Sequence, residues 1–142
     1  MASHEASLDA AKIGGLGKLI KIIYVILALA ATGRSVYQII SKFEEAPLAY
    51  SLSAVAAVVY VLITVALFQR GRVWRNIARA GAIFEIIGVV TVGTLSLLMP
   101  EFFAHPAVWS HFGSGYLFLP VIMPILGLNY LAKLDRLERA DA

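Results

Sequence analysis

Cysteine is absent from the 142 residues. The chain therefore has no disulfide, no thiolate nucleophile and no cysteine-ligated zinc or iron–sulfur centre, and its redox compartment is left open. Histidine is scarce, and no two histidines fall on opposed apolar runs, as a haem would require. Charge is scarce too. Charged side chains make up 15% of the chain against 60% hydrophobic, a balance outside the soluble globular range. The glycines of GGLG at residues 14–17 lack the lysine–serine context of a phosphate-binding loop. Ser110 and Ser114, the serines near a histidine, have neither a nucleophile elbow nor an ordered acid. No enzyme and no cofactor are expected. The net charge of +3 does not indicate nucleic acid, because the basic residues flank apolar segments and form no stripe of their own.

Four long apolar runs fill most of the chain. A bilayer core about 30 Å thick takes roughly 20 apolar residues per helix, and the runs at 19–40, 48–68, 77–99 and 116–132 meet that length. The expected fold is all-α: a four-helix transmembrane bundle filling residues 19–132, preceded by a flexible arm at 1–18 and followed by a short tail at 133–142. Gly14, Gly15 and Gly17 argue against a firm helix in the arm, although Leu8, Ile13 and Leu16 would let it lie on a membrane surface. Pro47 suits the first turn of the second helix, with Glu44 and Glu45 complementing its positive end. Pro100 closes the third helix. In the fourth, Pro120 suits the first turn and Pro124 is expected to introduce a kink.

Orientation follows from Lys and Arg. Of the 12 basic residues, ten (Lys12, Lys18, Lys21, Arg70, Arg72, Arg75, Arg79, Lys133, Arg136 and Arg139) fall on one side of the four-span arrangement. The positive-inside rule then makes both termini cytoplasmic. The loop at 100–115 becomes extracytoplasmic, its Phe102, Phe103, Trp109 and Phe112 joining Tyr116 and Phe118 in an aromatic belt. The lysines before IIYVILALAA, with A-L-A at 28–30, would also suit a signal peptide. The apolar stretch resumes after Arg34 and reaches Ile40, so an uncleaved helix in a plasma membrane is expected.

Away from the span ends, where Lys21 and Arg79 lie, only Arg34 and Glu85 carry a residue type that prefers charge. Such a residue costs about 2.5–3.5 kcal/mol at the bilayer centre on insertion scales. Glu85 shares a helix stripe with Ala78, Gly81, Gly88 and Val92, small enough for another helix to approach closely, so it should face protein. Arg34 shares a face with Tyr37 and Gln38, expected as supporting polar groups. It sits about 9 Å farther along the bilayer normal than Glu85, but helical side chains lean toward the N-terminus. A direct or water-bridged Arg34–Glu85 pair is therefore expected, fixing helix register ahead of serving as a proton or ion site. Arg70, Arg72, Arg75 and Arg79 are expected to contact anionic headgroups. Glu101, His105 and His111 form a weak divalent-metal set, with solvation the simpler reading. Ser51, Ser53, Ala54, Ala56, Ala57 and Thr64 supply small contacts for helix packing.

The stretches EAPLAYSLSAVAAVVYVLITVAL (45–67), EIIGVVTVGTLSLL (85–98) and VWSHFGSGYLFLPVIMPILGL (108–128) resemble a family of small four-span integral membrane proteins of actinobacteria. The resemblance covers most of the chain after Arg34, and its specific part is the Val-Trp-Ser-x-Phe-Gly-x-Gly-Tyr motif. It implies four spans in a plasma membrane and supplies no catalytic residues. The expected role is a non-enzymatic structural or accessory protein, packing in the lipid bilayer against a larger membrane complex or as a homo-oligomer. The alternative is a small oligomeric proton-coupled transporter using Glu85; a third reading is a sensor of lipid headgroups through Arg70–Arg79.

Overall fold

The computed structural model describes residues 2–103 and 105–141, and the side chains of 14–103 and 105–140. Four helices carry the chain: α1 (Ala2–Lys42), α2 (Pro47–Phe68), α3 (Arg72–Leu98) and α4 (Leu119–Asp141). Short 3-10 segments occupy Phe43–Glu45, Pro100–Phe103 and Ser110–Tyr116, and no strand occurs among the described residues. The first three helices are each long and apolar enough to cross a membrane. A fourth span is reached if Ser110–Tyr116 and the helix after it, which meet at 90°, count as one.

Sequence chemistry sets most boundaries. Pro47 opens α2, where a missing N–H costs nothing. The α2–α3 turn is closed by Gly71 at φ 107°, a region few other residues enter. α3 ends before Pro100, with the Met99 N–H still bonded to the Leu95 carbonyl. Pro120 lies in the first turn of α4, and Pro124 sits inside a helix that runs unbroken past it. A separate bend of 90° precedes α4, at Leu117 and Phe118, both left-handed at φ 58° and 59°.

The expected arm is also different. Residues 2–18 are continuous with the first span as one helix. Helix-favouring Ala, Leu and Lys surround the glycines, each of which costs only about 1 kcal/mol in a helix. Gly17 has a packing use: a Cβ there would lie 2.6 Å from the Tyr130 hydroxyl. The proposed membrane contacts of Leu8 and Ile13 lie outside the described side chains.

Successive helices pack side by side, and α4 closes the bundle against α1, so α1 and α3 lie across the diagonal. Small residues allow the approach. Gly81 of α3 takes Ile63 of α2, and the core is filled by Tyr24, Leu27, Ala49, Tyr50, Tyr60, Ile63, Val89 and Met123. The outer faces of α1, α2 and α3 present Ile22, Ile26, Leu29, Val58, Leu62, Phe84 and Ile87, as helices facing hydrocarbon do.

Candidate functional site

The α3–α4 connection is not a surface loop. Ala107, Val108, Trp109 and Ser110 are buried, Trp109 at 2% exposure. The segment turns into the end of the bundle and is held there from three helices. From α2, Ser53 Oγ accepts the Val108 N–H at 2.9 Å. From α3, Ser96 Oγ accepts the His111 N–H at 2.9 Å and donates to the Gly93 carbonyl at 2.8 Å. From α1, Arg34 Nη2 donates to the Pro106 carbonyl at 2.9 Å, with the guanidinium 5.9 Å from the Tyr116 ring centroid. Ser110 Oγ closes the segment internally on the Ala107 N–H at 2.7 Å.

Two glycines of α3 form the socket. A Cβ on Gly88 would fall 2.3 Å from the Trp109 ring, and one on Gly93 the same distance from the Phe112 ring. The chain reverses through consecutive left-handed residues, His111 (φ 51°), Phe112 (φ 61°) and Gly113 (φ 82°). A non-glycine residue costs about 1–2 kcal/mol in that region. Such geometry persists where surrounding bonds over-determine it, as the Ser53, Ser96 and Arg34 contacts do here.

Below the inserted segment lies the polar centre of the bundle. Trp109 Nε1 donates to the Tyr60 hydroxyl at 2.8 Å, and the two rings meet edge to face at 6.4 Å. Tyr60 packs on Tyr24 at 6.4 Å. The Tyr24 hydroxyl crosses the diagonal and donates to Glu85 Oε1 at 2.9 Å. Glu85 is 0% exposed, and its second oxygen, Oε2, has no partner among the described residues. Carboxylate, two phenols and an indole thus form one column from the centre of the bundle to the inserted segment.

Glu85 faces protein, as expected, but the expected direct pair with Arg34 does not form. The reason is depth. Tyr24 lies five residues into the first span and Glu85 eight into the third, an offset of about 4–5 Å that a tyrosine covers. Arg34, farther along, meets the Pro106 carbonyl at its own level. The supporting roles change as well. Tyr37 is 59% exposed and sits under the Lys42 ammonium at 5.8 Å. Gln38 is buried, but no hydrogen bond links it to Arg34, and its Oε1 has no partner among the described residues.

The other expectations are redistributed. Trp109 leaves the aromatic belt for the core, whereas Phe102 and Phe118 remain exposed. Glu101, His105 and His111 do not converge, and no metal-competent group occurs among the described residues. His105 faces Glu45 at 3.2 Å and stacks on Tyr50, while His111 is exposed in the left-handed turn. At the opposite end of the bundle Arg75 pairs with Asp135 and Glu138, and Arg79 with Asp135 and Asn76. These two arginines, expected at headgroups, are engaged within the protein because α4 continues as helix to Asp141 and presents Asp135 and Glu138 on one face. Arg70 and Arg72 are exposed.

Concavities of the bundle lie away from this column. A long apolar groove of about 660 Å³ runs between α1 and α2, from Ile39 and Ile40 to Val65 and Trp74. Two smaller pockets of about 230 and 260 Å³ lie near the α2–α3 turn. Glu85 lines none of the three. Comparison with protein-family models, curated proteins and solved structures returns no match.

Proposed function

We propose that this chain is a non-enzymatic, four-span plasma-membrane protein that acts structurally, packing in the bilayer against a larger membrane complex or a second copy of itself. Both termini face the cytoplasm in this reading, and the inserted α3–α4 connection lies at the extracytoplasmic end. The observation that carries it is the closure of the Glu85 site, the one buried acidic residue among those described. Glu85 is fully covered, engages Tyr24, and lines none of the three concavities. Its polarity is spent on a column that supports Trp109 and the segment around it. The excess of basic residues at the end carrying Lys21, Arg70 and Arg139 supports the orientation. Purification in mild detergent, with mass measured by light scattering and co-purifying chains identified, tests the role. A stoichiometric membrane partner or a stable homo-oligomer is expected; a monodisperse monomer without partners contradicts it.

The second reading is a small proton-coupled transporter with Glu85 as the coupling carboxylate. The unpartnered Oε2 favours it, since buried polar atoms without partners are uncommon and cluster at functional sites. Transport in proteoliposomes under an imposed pH gradient separates the two. Proton-driven flux that disappears in a folded Glu85→Gln variant establishes coupling, and absence of flux in the wild type removes it.

A further inference from the structure

The groove between α1 and α2, about 660 Å³, has the size of a small-molecule site, roughly 300–1,000 Å³. One stripe of each helix builds it. Val36 and Ile40 of α1 and Val58 and Leu62 of α2 stand exposed as its walls, whereas Ser35 and Ala57, 4% and 6% exposed, lie buried between them as its floor. Along α2 the lining runs from Ala54 to Val65, about 16 Å, and Trp74 of α3 closes one end. No charged residue is among the described ones lining the groove, so a neutral, largely hydrocarbon occupant suits it.

Ser35 stands out in this apolar setting. It lines the groove, and its buried Oγ has no hydrogen-bond partner among the described residues. Other hydroxyls of the spans behave differently: Thr64 and Thr94 donate to carbonyls four residues back, those of Tyr60 and Val90, at 2.6 and 2.7 Å. Across the groove, Ala54 and Ala57 offer no polar side chain to Ser35. An unbonded buried hydroxyl is costly, and an acceptor entering the groove removes the cost.

The depth of Ser35 defines that acceptor. Ser35 lies seven residues before the end of α1 at Lys42, about 10 Å along the helix. In the spanning arrangement proposed above, on which this inference rests, that level is inside the hydrocarbon layer, away from the interface that holds the polar parts of bilayer lipids. Acyl chains bring no acceptor there, and a neighbouring helix keeps its backbone carbonyls bonded internally. We propose that the α1–α2 groove binds a neutral, lipid-soluble carbonyl compound, its hydrocarbon part along the groove and its oxygen accepting from Ser35 Oγ.

The test uses the full chain in phosphatidylcholine nanodiscs. Two probes are titrated: a long-chain ketone with its carbonyl at mid-chain and bromine at one terminus, and the terminally brominated alkane of equal length. Bromine quenches indole fluorescence; Trp74 closes the groove, whereas Trp109 is buried toward the opposite end of the bundle. Saturable quenching by the ketone is expected, lost in Trp74→Phe, with half-saturation about five-fold below that of the alkane, the size of one neutral hydrogen bond. Ser35→Ala removes a hydroxyl that bonds nothing in the fold. It should raise the ketone's half-saturating concentration about five-fold and leave the alkane's unchanged. Val61→Phe, adding bulk at a 43% exposed lining position, should weaken both probes. Equal half-saturation by ketone and alkane, or a wild-type value for the ketone in Ser35→Ala, overturns the proposal. So does exclusion of the ketone from the wild type, the outcome if a second copy or a partner helix covers the groove. A chain that fails to enter nanodiscs contradicts the spanning arrangement itself, which separates that failure from this one.

Discussion

Gly88→Ala is the smallest change that challenges the seating of Trp109. The added methyl would lie 2.3 Å from Cζ3, 2.7 Å from Cη2 and 2.8 Å from Cε3 of the indole. Carbon atoms rest about 3.5–4.0 Å apart, so the ring must retreat by about 1 Å. It has little room to do so, being 2% exposed and tethered to the Tyr60 hydroxyl at 2.8 Å. Overpacking of this kind costs about 1–3 kcal/mol, and lengthening the indole bond forfeits about 0.5–1.5 kcal/mol more. The higher helix propensity of alanine returns up to about 1 kcal/mol, so the clash should win and the variant should be destabilised by about 1–3 kcal/mol. Gly33→Ala is the matched control: no atom lies within 4 Å of its added Cβ, and it should be neutral or slightly stabilising. Reversible unfolding in mixed detergent micelles, followed by helical circular dichroism, measures both. Combining Gly88→Ala with Trp109→Phe completes a double-mutant cycle, in which touching residues show coupling of about 0.5–3 kcal/mol. Equal stability of Gly88→Ala and Gly33→Ala, with strict additivity in the cycle, would refute the reasoning.

Three further outcomes are expected. Glu85→Gln should keep the fold, because its amide oxygen still accepts from Tyr24, whereas Glu85→Ala should lose about 1–3 kcal/mol by leaving that buried hydroxyl unsatisfied; equal stability of the two in the same unfolding assay contradicts this. Arg34→Ala removes a charged hydrogen bond to the Pro106 carbonyl, of a class contributing about 1.5–3 kcal/mol. Amide exchange at residues 107–111 should then accelerate while that of the α2 centre stays unchanged. Asp135→Asn should weaken the Arg75 and Arg79 pairs by no more than about 1 kcal/mol, since all three side chains are partly exposed. The difference should shrink as salt is raised, and a salt-independent loss contradicts this.

The helices were legible because length and hydropathy determine them directly. The stripe of Ala78, Gly81, Gly88 and Val92 correctly placed Glu85 toward protein, since small residues mark where helices approach. The partners were not legible. Tyr24 looks like ordinary span sequence until the diagonal placement of α1 and α3 brings its hydroxyl to Glu85. Arg34 bonds a backbone carbonyl, which no side-chain pattern announces. Sequence alone assigns the inserted segment to an aromatic belt because tryptophan and phenylalanine serve both interface and core. The distinguishing signals lie elsewhere in the chain: Gly88 and Gly93 leave sockets on α3, and Ser53 and Ser96 place hydroxyl acceptors at the same end. Gly113 marks the left-handed reversal only weakly, because His111 and Phe112 beside it share the conformation. Continuity of α1 through Gly14, Gly15 and Gly17 is not legible from composition, because glycine is a weak helix former whether it breaks a helix or, as Gly17 does, makes room for Tyr130.

The account rests on the insertion of the α3–α4 connection into the bundle, and the fluorescence of Trp109 tests it most directly. The chain has two tryptophans, so Trp74→Phe leaves Trp109 as the sole indole. In lipid nanodiscs the emission should be blue-shifted and nearly insensitive to iodide or acrylamide in the aqueous phase, and it should become quenchable when Ser53→Ala and Arg34→Ala together release the segment. Red-shifted emission and ready aqueous quenching in the single-tryptophan protein would place Trp109 at the surface and contradict the insertion.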